Sequence, residues 1–178
     1  MAVNLFEALR KELPDDVVGV IASSIGETPA KTQAALGYVV PAVVGVLVQK
    51  SQTALGAEHV FALLQRGGLD RTAFGDIPRV LKTGRPMATS LFGEGRSSLA
   101  DWISSCTGIR PQSSAALLSF AAPLVLSVMN REAAATDGFN PSSLAKLLGE
   151  QSGFFRTLAP AGLTTMLDLN APPASAAD

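Results

Sequence analysis

The chain has 178 residues, 47% hydrophobic and only 16% charged, with Lys and Arg (14) nearly balancing Asp and Glu (15). A fold of this length hides about two-thirds of its unfolded surface, so a real core is available, and the balanced charge removes the global electrostatic argument for a nucleic-acid or anionic-membrane partner. The single cysteine, Cys106, excludes an internal disulfide, and the single histidine, His59, excludes a histidine cluster of metal-ligand spacing, so neither a metal nor another cofactor is expected.

No segment alternates with period two, whereas apolar residues recur at spacings of three and four nearly everywhere, which predicts an all-α fold. Asn4 caps a first amphipathic helix running to about Leu13, where Pro14 interrupts. This stretch is charged early and has no apolar h-region, so it does not read as a secretory signal, and a cytoplasmic location is the expectation. Asp15 and Asp16 place negative charge at the start of a second helix that ends near Ser24, with Gly26 as its stop. Thr28 as N-cap and Pro29 at the first helical position open a long helix to about Lys50. Residues 56–65 make a fourth helix, closed by Gly67 and Gly68.

Residues 69–96 are less regular, with Asp76 capping a short helix to about Lys82, a second short helix over 86–92, and Gly93-Glu94-Gly95 as the clearest hinge. Ser97 or Ser98 caps a helix through Trp102 to Cys106, and Pro111 opens a long helix to about Ala134. Asn140 and Pro141 start another, reaching Leu148. Residues 153–158 and 164–167 read as short turns, and 170–178 as a flexible tail.

A shift of 82 residues aligns Gly26 with Gly108, Pro29 with Pro111, Leu36 with Leu118, Pro41 with Pro123, Val46 with Val128 and Gly56 with Gly138, without a gap. Of the 32 positions from 25 to 56, 8 are identical to their counterparts, and several fall on glycines and prolines, whose roles in capping and bending are positional. The chain therefore reads as a single domain over 1–169, built from two related halves (about 14–66 and 96–150) with a linker over 67–95.

Between Lys31 and Lys50 lie 18 uncharged residues, and between Arg110 and Arg131 lie 20. A helix that is apolar all round must be enclosed. Pro41 and Pro123 each remove an amide hydrogen and press on the carbonyl four residues earlier, which predicts a kink at the same place in both helices. Gly37, Pro41 and Gly45, like Ser119, Pro123 and Ser127, form a small-residue stripe along one face. Two such stripes predict a crossed pair of kinked helices about a pseudo-twofold axis. The competing reading is a membrane hairpin. Gln33, Gln49, Gln112, Ser113, Ser114 and Asn130 trim the apolar cores to the length of buried core helices, so no stable membrane insertion is expected.

Phe92-Gly93 and a polar turn, then 100–108 (ADWISSCTG), then 113–118 (SSAALL) and 121–126 (AAPLVL), resemble the YidB-like family of bacterial all-helical domains of unknown function. The first half, through Val40-Pro41 and Gly56-Ala57, resembles it more loosely. The resemblance spans most of residues 1–150 and implies an all-helical fold, and it brings no established activity or catalytic residues.

Any Ser-His or Cys-His catalysis would have to run through His59, which sits without a motif on the first turn of a predicted helix and reads as solvated surface. Cys106 falls at a helix C-terminus, where the dipole opposes a thiolate, and reads as apolar packing. Arg96, Ser97 and Ser98 after a glycine turn form a candidate anion site at a helix start, although no strand or lysine makes it a P-loop. Residues 66–110 carry seven basic side chains against four acidic ones, but the basic residues of 66–96 are spread across irregular structure, and a solvated linker face is favoured over nucleic-acid binding. No catalytic residue is assigned. The expected function is a non-enzymatic protein-interaction or scaffolding module with a protein partner or a second copy of itself. The alternative is an apolar ligand or lipid tail held in a crevice between the kinked helices, lined by Val39, Val43, Phe120 and Leu124.

Overall fold

A computed structural model describes residues 5–66, 76–93, 95–134 and 140–158. They form eight helices: α1 (Leu5–Glu12), α2 (Asp15–Ile25), α3 (Pro29–Lys50), α4 (Ala54–Arg66), α5 (Ile77–Phe92), α6 (Gly95–Thr107), α7 (Pro111–Ala134) and α8 (Pro141–Leu158). The described residues contain no strand, and the fold is all-α. Asn4, residues 67–75 and everything beyond 158, including the expected turn at 164–167 and the tail, lie outside the described residues.

Local chemistry sets the ends of the helices. Gly26 (φ 72°) stops α2 in the left-handed conformation and donates its N–H to the Ala22 carbonyl, and Gly108 (φ 76°) does the same after α6, donating to Ser104. The Thr28 hydroxyl accepts from Lys31 N at 3.3 Å, Asp76 from Arg79 N at 3.3 Å and Asn140 from Ser143 N at 2.9 Å. Each satisfies an amide that has no partner inside its own helix.

One buried cluster draws side chains from all eight helices. At its centre α3 and α7 pack against each other, buried all round over 39–48 and 117–129. Both are long and apolar enough to cross a membrane, but 67% of the α3 window and 83% of the α7 window are buried inside the protein, so enclosure by other helices accounts for their composition. Their neighbours differ. The most extensive partner of α7 is α5, whereas α3 is bordered mainly by α7, α8 and α2. Edge-to-face packing of Tyr38 on Trp102, with centroids 5.5 Å apart, ties α3 to α6.

Several elements depart from the sequence expectation. Residues 77–92 form one helix, not two short ones, and Gly84 and Pro86 lie inside it. Pro86 and Lys82, whose carbonyl the proline cannot cap, are both exposed, so the proline falls at a solvent-facing position of the helix. Helix α6 begins at Gly95, so Ser97 and Ser98 belong to its first turn rather than capping it. Helix α4 begins at Ala54, with the Thr53 hydroxyl accepting from Gly56 N at 3.0 Å. Helix α8 runs past Leu148 to Leu158. Its buried Gln151 accepts from the backbone N–H of Leu5 at 3.0 Å, so a side chain 146 positions away caps α1.

Thr32 and Ser114, at matching positions 82 residues apart in α3 and α7, bury hydroxyl oxygens that have no hydrogen-bond partner. An unsatisfied buried hydroxyl costs free energy, and an isosteric methyl removes that cost. Thr32→Val is accordingly expected to raise stability by about 1 kcal/mol. A fall in the urea midpoint would show that the hydroxyl is satisfied in solution.

Candidate functional site

Inside a helix, a proline leaves the carbonyl four residues earlier without its usual amide partner and bends the backbone away from it. On α7 the notch made by Ser119 and Pro123 is filled. Gly84 of α5 lies directly on it, so that a Cβ built there would overlap the Ser119 carbonyl oxygen and meet Pro123 Cδ at 3.0 Å. The approach brings the Gly84 Cα–H onto the carbonyl, the geometry of a weak C–H···O contact.

On α3 the matching notch, made by Gly37 and Pro41, is open. Gly37 is exposed, and a Cβ built on it meets no atom within 4 Å. Here a groove of about 280 Å³ lies between α1 and α3, floored in part by Val18 of α2. Phe6, Leu9 and Leu13 supply one wall and Leu36, Gly37, Val40 and Pro41 the other, and Arg10 and Gln33 supply polar groups. Arg10 and Gln33 are both exposed. The eight-residue α1 borders the groove without covering Gly37, whereas the sixteen-residue α5 covers the corresponding face of α7.

The four side chains expected to line a crevice lie elsewhere. Val39, Val43, Phe120 and Leu124 are all in the buried cluster, none more than 3% exposed, and none borders the groove. The opening is on the face of α3 that carries Leu36, Val40 and Pro41, because α7, α8, α2 and α6 between them pack against the rest of that helix. Ser97 and Ser98 are exposed in the first turn of α6, and the Arg96 side chain lies outside the described residues. His59 is exposed within α4 and Cys106 is exposed near the end of α6. The apolar packing expected of Cys106 is therefore replaced by exposure to solvent. Among the described residues no three His, Cys, Asp or Glu side chains gather as metal ligands would.

A polar cluster joins the start of α7 to the turn between α2 and α3. The Glu27 carboxylate accepts from the Ser113 hydroxyl at 2.7 Å, from Arg110 N at 3.2 Å and from Arg110 Nε at 3.2 Å. Arg110 Nη2 also donates to the Ile25 carbonyl at 2.9 Å. The Ser113 hydroxyl first, then the Arg110 backbone amide, hold the Glu27 carboxyl below the ordinary carboxylate range. The side chain of Glu27 is only 9% exposed and that of Arg110 is 62% exposed, so water screens the ion pair while the hydrogen bonds remain. This is a structural brace, since its acceptors and donors are occupied by one another.

Neither the groove nor the brace is visible in the pattern of the sequence. The signal that pointed toward the groove was the small-residue stripe of Gly37 and Pro41, but that stripe was expected to face the second long helix.

The family model for a bacterial protein of unknown function (DUF937) matches residues 7–132, a span from α1 nearly to the end of α7 that includes every residue lining the groove except Phe6. The resemblance to YidB-like domains agrees with this match. No curated protein and no solved structure matches the chain.

Proposed function

Because the chain belongs to the DUF937 family of bacterial proteins, whose function is unknown, no activity passes to it from relatives, and we propose that it is a non-enzymatic interaction module whose α1–α3 groove receives a segment of another protein. The observation that carries this reading is the open notch at Gly37 and Pro41, set beside the filled notch at Ser119 and Pro123. The volume of the groove supports it as well. About 280 Å³ falls just below the ~300–1,000 Å³ of ordinary small-molecule pockets, yet it suits a few side chains from a docked segment. The module remains soluble in this reading, with α3 and α7 as enclosed core helices.

A photo-crosslinking amino acid at Gln33, introduced in the bacterium that makes the protein, tests the proposal against the same group at the exposed Glu58 on α4. A discrete protein adduct at Gln33 that is absent at Glu58 is the expected result. Equal adducts at both positions, or no protein adduct at Gln33, would overturn the reading. An adduct to lipid alone would put the apolar-ligand reading in its place.

A further inference from the structure

We infer that the occupant of the groove is an amphipathic helix that lays a Gly, Ala or Ser against Gly37 and presents an Asp or Glu to Arg10. The inference rests on the reading that the groove receives a protein segment.

The protein carries its own template for such a contact. Where a proline notch on α7 is covered, the covering element is a helix and the residue set on the notch is glycine, with Met87, Ala88 and Leu91 buried one and two turns further along. The Gly37 notch has the same chemistry, with a carbonyl that Pro41 cannot cap. Because Gly37 has no side chain, a partner backbone can come as close here as α5 does on α7. A large side chain at the contact would hold the two helices apart and leave the carbonyl uncovered.

A helix is favoured over an extended strand because both walls of the groove are helices, which present side-chain ridges and no unpaired backbone edge. Helix-in-groove recognition works through apolar anchors at i, i+3, i+4 and i+7. Phe6 and Leu13, both half-buried, offer the accessible surface for such anchors, with the more deeply buried Leu9 and Leu36 behind them.

Charge complementarity sets the polar part. Arg10 lines the groove, is exposed, and its side chain has no ion-pair partner among the described residues, unlike Arg110 and Arg131, which pair with Glu27 and Glu12. The exposed Gln33 amide on the opposite wall can both donate and accept. A partner carboxylate at Arg10 orients the docked helix and raises the encounter rate.

The Gln33 crosslinker is combined with Arg10→Glu, Arg10→Lys and Gly37→Leu in the full chain, and the adducted partner peptide is sequenced. Arg10 and Gly37 are exposed, and a side chain at Gly37 meets open space, so each variant is expected to fold, which circular dichroism checks. The inference expects a helical partner peptide with a small residue and an acidic one within about one turn of each other. Adduct yield is expected to fall about tenfold or more with Arg10→Glu, to stay within about threefold with Arg10→Lys, and to be lost when Leu fills the groove in Gly37→Leu. A proline-rich or extended adduct peptide, or a yield that Arg10→Glu does not change, overturns the inference while leaving a protein-binding groove in place. No protein adduct at Gln33 in the unsubstituted chain overturns the underlying reading.

Discussion

Gly84→Ala is expected to destabilise the protein by about 3 kcal/mol or more, the upper end of what overpacking costs, whereas the same substitution at Gly37 is expected to stabilise it by about 0.5–1 kcal/mol. Both glycines lie inside long helices, where replacing glycine by alanine is ordinarily favourable because it restricts the unfolded chain and suits the helix. Their surroundings reverse the sign. At Gly84 the new methyl would overlap a backbone carbonyl of α7, which cannot rotate away as a side-chain end could. Relief requires α5 to lift from its most extensive partner and expose Met87, Ala88 and Leu91. At Gly37 the methyl enters empty space. Urea unfolding of the two variants checks the pair, and a Gly84→Ala protein as stable as its parent would mean that α5 does not seat on Ser119.

Glu27→Gln is expected to cost about 1 kcal/mol at neutral pH, a hydrogen-bonded charge partly screened by water, and to flatten the acid limb of the stability profile. The sign follows from the lowered carboxyl value. The folded state holds the Glu27 proton more weakly than the unfolded chain does, so the contribution is fully present above the ordinary carboxylate value. It is lost as pH falls through the lowered, folded-state value. Parent and variant should therefore differ most at neutral pH and converge as the medium is acidified below the ordinary carboxylate range. Denaturant midpoints measured between those limits decide it. A gap that widens on acidification would contradict the assignment of the Ser113 and Arg110 contacts to an ionised Glu27.

The two long helices were legible because their ends are written in residues with a single conformational use. Thr28 with Pro29, Gly26 before them, and Gly108 with Pro111 leave little choice of boundary, and the uncharged runs that follow must be enclosed. The continuity of α5 was not legible. Gly84-Arg85-Pro86 looks like a break to local propensity, but packing overrides it: Gly84 is there for contact with α7, and Pro86 faces water. The last ten residues of α8 were hidden for a related reason. Gly149 and Gly153 weaken the local signal, and the compensating bond from Leu5 to Gln151 spans 146 positions. Periodicity also says which face of a helix is apolar without saying how much of that face its neighbour covers. The side chains of Leu36 and Val40 look alike in sequence to those of Leu118 and Ala122, and only the shorter reach of α1 leaves a groove beside the first pair. Arg10 gave no signal at all, since one exposed arginine on a short amphipathic helix resembles any other.

The central position of α7 also orders events in time. During synthesis α3 leaves the ribosome as an 18-residue uncharged run, while α7, which packs against α1, α3, α4, α5 and α6, begins only at Pro111. Until some 80 further residues have been added at ~5–20 per second, α3 lacks α7, its most extensive partner, and only α1 and α2 are present from the start to cover it. Several seconds of every round of translation therefore present a nascent chain with the surface of a membrane segment and the destiny of a core, the state that chaperones at the exit tunnel are built to shield.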